Sequence, residues 1–287
     1  MPVLINRLLP YLQLMRLHKP IGIFLLLWPT LWALWIAAHG IPDITILLIF
    51  ISGTIIMRSA GCVINDIADR HFDGHVARTR QRPLVTGMVS LKAALILFGL
   101  LCSLAFILIL LLNRFTQILA IVGLLLTIIY PFCKRFTHWP QLVLGAAFGW
   151  AVPMAFAAQT NALPATAWLL YAAAILWPLA YDTMYAMVDR EDDRQIGVKS
   201  TALLWEKHDR LFIGGIQALV ILLLMVVGWW EHFNRYYYLG LLGATLFACY
   251  QQYLIMAQLP ERCFRAFLNN HWFGLVVFLG IVIATLS

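Results

Sequence analysis

Two acidic stretches carry the residues best suited to chemistry. Asn65 to Asp73 reads N-D-I-A-D-R-H-F-D, and Asp182 to Asp193 reads D-T-M-Y-A-M-V-D-R-E-D-D. Taken as helices, residues four apart stack on one face. Asn65, Asp69 and Asp73 then form one stripe, and Tyr185, Asp189 and Asp193 form another. Carboxylates at that spacing repel each other on a bare helix. The repulsion vanishes when a divalent cation sits between them. Hard cations such as magnesium take oxygen ligands and share them with substrate phosphates. Two such stripes facing each other would hold one or two ions and a diphosphate.

The alternative reading is a solvated helix end. Against it, the cluster is doubled, its spacing repeats, and Asp66 and Asp182 fall at or inside the expected membrane edge, where ionisable groups are costly and default to function. Arg70 and Arg190 are embedded in the acidic stretches, where a guanidinium binds diphosphate oxygens or neutralises carboxylates before metal arrives. Lys134 and Arg135 follow Y-P-F-C (130–133) at a helix end and read equally well as a stop signal or a phosphate contact. Arg58 lies two turns before Asn65, deeper than an orientation signal needs. Tyr181 and Tyr185 are one turn apart beside the second stripe, where their ring faces suit a developing carbocation. Arg78, Arg80 and Arg82 are read as orientation signals.

The elements that must position these residues are membrane helices. Of 287 residues, 62% are hydrophobic and only 11% charged, with a mean hydropathy of +0.84. A soluble domain carries roughly a quarter charged residues. The net charge of +7 therefore reports loop sidedness rather than nucleic-acid binding. Apolar runs of spanning length, about 17–25 residues, are predicted near 21–38, 44–64, 91–112, 117–133, 139–158, 164–188, 211–230, 236–258 and 268–286, after an amphipathic segment at 1–20. The expected fold is thus all-α, an integral membrane bundle of about nine transmembrane helices. With the N-terminus cytoplasmic, every Lys and Arg from Arg7 to Arg265 falls inside except Arg114 and Arg235, a strong orientation signal. Two long cytoplasmic loops, near 65–90 and 189–210, carry the acidic stretches. Asp69-Arg70-x-x-Asp73 and Asp189-Arg190-x-x-Asp193 share D-R-x-x-D, which points to one domain of two pseudo-repeat halves, roughly 1–138 and 139–287, with the site between them. Five scattered cysteines give neither a disulfide framework nor a zinc site. No cleavage site or transit segment is evident, and a bacterial protein is expected.

These motifs resemble those of the UbiA-type intramembrane aromatic prenyltransferases. The likeness covers nearly the whole chain. R-L-H-K-P-I-G (16–22), M-R-S-A-G-C-V-I-N-D (57–66), F-D-G-H-V-A-R-T-R-Q-R-P-L (72–84) and Y-D-T-M-Y-A-M-V-D-R-E-D-D (181–193) look most like the branch that prenylates 4-hydroxybenzoate in ubiquinone biosynthesis. Val85 replaces the more usual Pro after Leu84. The resemblance implies a bacterial inner-membrane enzyme whose cavity opens to the cytoplasm and to lipid. It implies magnesium held by Asn65, Asp66, Asp69, Asp73, Asp189 and Asp193, with Arg70, Lys134 and Arg135 sharing the diphosphate charge and Arg190 beside it. Tyr181 or Tyr185 would face the allylic cation, and Asp182 is the candidate acceptor of the ring proton. Arg16, Lys19, Arg58 and Arg135 are unranked candidates to hold the acceptor carboxylate. Rival expectations are a relative acting on naphthoate, homogentisate, haem or chlorophyllide, and a transporter of divalent cations or metabolites, since intramembrane acids also mark ion pathways.

Overall fold

The computed structural model describes residues 2–76 and 78–286, with side chains from Leu8 onward, so the side chain of Arg7 lies outside the described residues. All regular structure among them is helical. The chain runs through α1 (Pro2–Leu14), α2 (Ile21–Ala38), α3 (Ile44–Asp69), α4 (Leu91–Ile109), α5 (Arg114–Cys133), α6 (Pro140–Gly149), α7 (Ala151–Thr160), α8 (Ala165–Ala186), α9 (Arg190–Ile196), α10 (Thr201–Trp205), α11 (Asp209–Trp230), α12 (Arg235–Ile255) and α13 (Pro260–Leu286). Seven stretches are long and apolar enough to cross a membrane: α2, α3, α4, α5, α6 with α7, α10 with α11, and α13. Helices α8 and α12, at 22 and 21 residues, lie where two further spans were expected but are not among the seven. They are richer in Trp and Tyr than the other seven.

Helix starts follow from capping. Asp43 accepts the backbone N–H groups of Thr45 and Ile46 at the head of α3. Ser90 and Asn113 do the same for α4 and α5 through Ala93 and Thr116. Each satisfies donors that the first helical turn leaves without partners. The expected span at 139–158 is one membrane crossing built from two helices, with the junction at Trp150.

Packing is uneven, and the unevenness is informative. Helix α4 buries only Ala94 and Ala105, and α5 only Thr116, Leu119 and Pro131. Most of their other side chains are apolar and many are exposed on the outer face, as lipid contact requires. By contrast α2, α8 and α13 share a buried aromatic column. Trp177 stacks between Trp32 at 5.3 Å and Phe273 at 5.4 Å, and Tyr181 meets its edge at 5.3 Å. The indole N–H groups are satisfied, Trp177 by Asn270 at 2.9 Å and Trp32 by the Gly274 carbonyl at 3.1 Å. Small residues let α6 reach α8: a side chain at Gly145 would collide with the Ile175 carbonyl, and one at Gly149 would press on Ala174 at 3.1 Å. Close backbone approach at small residues is how helices pack without a hydrophobic drive between them. The column and the α6–α8 contact fix the end of α8, from which the second acidic stretch departs.

Candidate active site

Helix α3 continues past its apolar run to Asp69, so Asn65, Asp66 and Asp69 ride on its last two turns. The helical stripe expected through Asp73 is then broken. The chain turns at Phe72, whose N–H donates to the Asp69 carbonyl at 2.8 Å, and Asp73 opens a single 3-10 turn. The segment after it folds back over the bundle end. Thr79 Oγ1 donates to the Asp73 carbonyl at 2.8 Å, and Arg82 pairs with Asp73 and with Asp66 at 3.0 Å. Helix α8 likewise stops at Ala186, so the continuous stripe expected through Tyr185, Asp189 and Asp193 is corrected too. Asp189 sits at the head of the short α9, where its carbonyl accepts the Asp193 N–H at 2.8 Å. Gly197, at φ 71°, ends α9 in the left-handed region that glycine favours.

Despite both breaks, the two stretches converge. A cavity of about 320 Å³ at one end of the bundle is lined by Asn65, Asp69 and Asp73 from one side and Asp182, Asp189 and Asp193 from the other. Arg78 crosses the gap. Its guanidinium bonds both Asp189 oxygens and lies 4.5 Å from the centre of the Tyr185 ring. Lys134 pairs with Asp69, and Arg16 with Asp66 at 2.6 Å. Seven cationic side chains (Arg16, Lys19, Arg58, Arg78, Arg82, Lys134 and Lys199) line the cavity against five carboxylates, so it is built to receive an anion. Burial pushes the Asp73 carboxyl up to about 6, although Arg82 draws it back. Burial, then repulsion from Asp189, pushes Asp193 up to about 7.

Beneath the polar cavity lies an apolar chamber of about 310 Å³ between α2, α3, α4, α5, α6 and α7. Arg58, Tyr130 and Phe148 line both spaces and mark their junction. Phe106 and Ile121, lining the chamber, are each 61% exposed, so it opens sideways between α4 and α5.

Other residues expected at the site lie elsewhere. Asp66 faces Arg16 and Arg82 rather than lining the cavity. Arg70 donates to the Ile67 carbonyl at 3.1 Å, outside the lining. Arg135 donates to the Ala68 carbonyl at 2.6 Å and packs over Phe72 and Phe132, a cation at the end of α3. Arg190 is held by the buried Asp209 and by Gln258 at 3.3 Å, which ties α9 to the head of α11. Arg78 and Arg82, read from sequence as orientation signals, are the cations that close the site. The donor set suits magnesium: carboxylates and an amide oxygen face one space, and Asp69 Oδ1 is buried without a hydrogen-bond partner. Among the described residues no three acids, histidines or cysteines converge into a ready cage. That fits an ion that keeps waters and binds through one or two carboxylates plus substrate phosphates.

A family model described as the UbiA prenyltransferase family matches residues 26–279. A 4-hydroxybenzoate octaprenyltransferase of Coxiella burnetii (strain Dugway 5J108-111) is 58% identical over 273 residues, covering 95% of each chain. One of Nitrosococcus oceani is 59% identical over 282 residues, covering 98% of this chain and 99% of its own. The apo structure of a UbiA homolog from Aeropyrum pernix K1 is similar in fold, with a TM-score of 0.80 at 24% identity over 91% of this chain and 97% of that one. A UbiA homolog from Archaeoglobus fulgidus bound to GPP and Mg2+ has a TM-score of 0.68 at 17% identity, covering 96% and 98%.

Proposed function

Because the chain belongs to the UbiA prenyltransferase family, we propose that it transfers a polyprenyl group from polyprenyl diphosphate to the carbon ortho to the hydroxyl of 4-hydroxybenzoate, releasing diphosphate, as a step in ubiquinone biosynthesis. The observation that carries this reading is the junction of two unlike spaces. A cation-rich, carboxylate-lined cavity opens directly onto an apolar chamber with a lateral mouth. An amphiphile with a charged head and a long hydrocarbon tail fits that pair, and a wholly soluble metabolite does not.

The proposed arrangement is one domain of nine spanning helices in the inner membrane of a bacterium, with the N-terminus and the cavity on the cytoplasmic side. The halves 1–138 and 139–287 each bring one acidic stretch to the cavity. Magnesium held by Asn65, Asp69, Asp73, Asp189 and Asp193, with Asp66 behind them, would supply Lewis-acid charge to the departing diphosphate. Arg78, Arg82 and Lys134 add positive charge on the same side and orient the diphosphate by charge-assisted hydrogen bonds. The bond between the allylic carbon and oxygen breaks, and both electrons leave with diphosphate. The apolar chamber holds the tail and excludes water from the allylic cation. Tyr181 presents its ring to that cation; one face of Tyr185 is already covered by Arg78. The acceptor ring attacks through its ortho carbon and then loses a proton. Asp182 is the base proposed for that proton: it lines the cavity and has no hydrogen-bond or ion-pair partner among the described residues.

The test is transfer of labelled 4-hydroxybenzoate in membranes supplied with magnesium and prenyl diphosphate. EDTA is expected to stop the reaction and added magnesium to restore it. Turnover that ignores chelation would remove the metal-assisted mechanism.

A further inference from the structure

Resting on that reading, we infer that Asp209 is a positioning residue for the reaction. It lines neither cavity, yet by gripping Arg190 it fixes the roll of α9 and so turns Asp189 and Asp193 toward the metal and the diphosphate. The first support is what α9 lacks. None of its seven residues, Arg190–Ile196, is buried, so packing does not seat it. Arg194 pairs with Glu191 at 3.2 Å and with Glu206 at 3.1 Å, but each of these side chains is at least 49% exposed. Surface pairs of that kind hold little. Successive side chains on a helix point about 100° apart, so a modest roll of α9 carries its carboxylates away from the cavity. The helix that completes the acidic site therefore needs an anchor outside itself.

The Arg190–Asp209 pair is that anchor. Asp209 is fully buried in the first turn of α11, where a carboxylate suits the helix N-terminus, and the Arg190 side chain is nearly buried against it. Arg190 also donates to Gln258 at 3.3 Å, and Gln258 in turn donates to the Glu206 carbonyl at 3.1 Å. Glu206 and Gln258 both hold left-handed backbone, at φ 45° and 50°. That conformation is costly for a residue with a β-carbon and persists where surrounding contacts impose it. Three segments thus meet at one guanidinium: α9, the turn before α11, and the connection between α12 and α13.

Stability alone does not explain the pair. A buried ion pair repays its desolvation only when its remaining donors and acceptors are satisfied. Here Arg190 Nε and Asp209 Oδ1 are buried without hydrogen-bond partners among the described residues. Apolar side chains of similar volume would hold the fold as well or better. What they would not supply is direction. The charged pair draws Arg190 away from the cavity, while its neighbour Asp189 is bonded at the cavity by Arg78. Opposed pulls on consecutive residues leave α9 one orientation.

The experiment separates position from stability. The full chain in phosphatidylcholine nanodiscs is titrated with manganese, a paramagnetic stand-in for magnesium, beside a non-hydrolysable prenyl diphosphate analogue. Electron paramagnetic resonance reads the bound ion, and thermal melts run in parallel. Arg190→Met/Asp209→Leu is expected to melt at or above the wild-type temperature. It should bind manganese about 10–100-fold more weakly, the usual range for losing a contact that orients metal ligands. Its KM for prenyl diphosphate rises while its KM for 4-hydroxybenzoate holds. Arg190→Lys, which keeps the charge without the planar fork, falls between the two. Arg194→Ala, which breaks only the exposed pairs, binds manganese as wild type does. Wild-type affinity in the double variant, or an equal loss in Arg194→Ala, would assign the pair to packing and overturn the inference. If the double variant does not fold, Arg190→Lys decides: a several-fold loss of affinity supports the inference, and affinity within about twofold of wild type overturns it. Wild type that binds manganese and the analogue but transfers no prenyl group to 4-hydroxybenzoate sinks the underlying function and leaves the positioning role standing.

Discussion

Removing the Arg78 guanidinium tests whether the two acidic stretches work as one site. Arg78 stands on the folded-back segment after α3, yet bonds both oxygens of Asp189 beyond α8 and covers Tyr185. Bidentate charge-assisted bonds contribute about 1.5–3 kcal/mol, and a partly exposed cation–π contact about 0.5–1 kcal/mol. The Arg78 and Asp189 side chains are 31% and 12% exposed, so solvent takes part of that. About 2 kcal/mol survives, which corresponds to roughly 30-fold in kcat/KM for prenyl diphosphate. Arg78→Ala should show that loss in a membrane assay at saturating magnesium. Arg78→Lys should regain only a few-fold, because an ammonium keeps the charge without the planar fork. Arg80→Ala is the control, since Arg80 is exposed on the same segment. Full activity in Arg78→Ala, or an equal loss in Arg80→Ala, would refute a specific bridge and leave only loop charge.

Asp69→Ala and Asp189→Ala should each lower turnover at least about 100-fold, because each removes an oxygen donor from the proposed magnesium site, which would bind the ion through few carboxylates; labelled-acceptor transfer measures it. Asp182→Asn should lower kcat while prenyl diphosphate binding, followed by equilibrium binding of a non-hydrolysable analogue, is retained. The fold raises Asp73 to about 6 and Asp193 to about 7, both above the ordinary aspartate value of 3.8. The metal-free protein should therefore gain stability as pH falls from 8 toward 5, and magnesium, which competes with those protons, should raise the melting temperature more at pH 8 than at pH 5.5; paired thermal melts in detergent check both signs. Asp209→Asn should cost about 3 kcal/mol of stability, because it leaves Arg190 charged and unpaired in a buried site, with denaturation as the readout.

The acidic stretches were legible because carboxylates at a membrane edge are costly and these recur at fixed spacing. The helical spans were legible because lipid permits only helices here, and the apolar runs have spanning length. The breaks at 70–73 and 187–189 were not. Met187 and Val188 continue an apolar helical pattern, and no proline or glycine marks the stop. Tertiary bonds end the helix instead, such as Arg190 to Asp209 and the Lys199 N–H to the Lys134 carbonyl at 3.1 Å. Arg78 was obscured for a different reason. Sidedness already explains an arginine in a cytoplasmic loop, so its reach to Asp189, 111 positions away, leaves no mark in sequence. Arg70 and Arg190 drew notice by lying inside the motifs. Adjacency in the chain did not bring them into the lining, because each side chain turns to a partner outside the cavity.

The most direct measurement is mass spectrometry of the product made by the purified chain in nanodiscs, with magnesium, a mixture of prenyl diphosphates and a mixture of aromatic acids. The expected product is 4-hydroxybenzoate carrying one polyprenyl chain ortho to its hydroxyl, absent when Asp69 or Asp189 is alanine. A different prenylated acceptor, or the same product from either alanine variant, would contradict a site in which both helix ends close on one diphosphate.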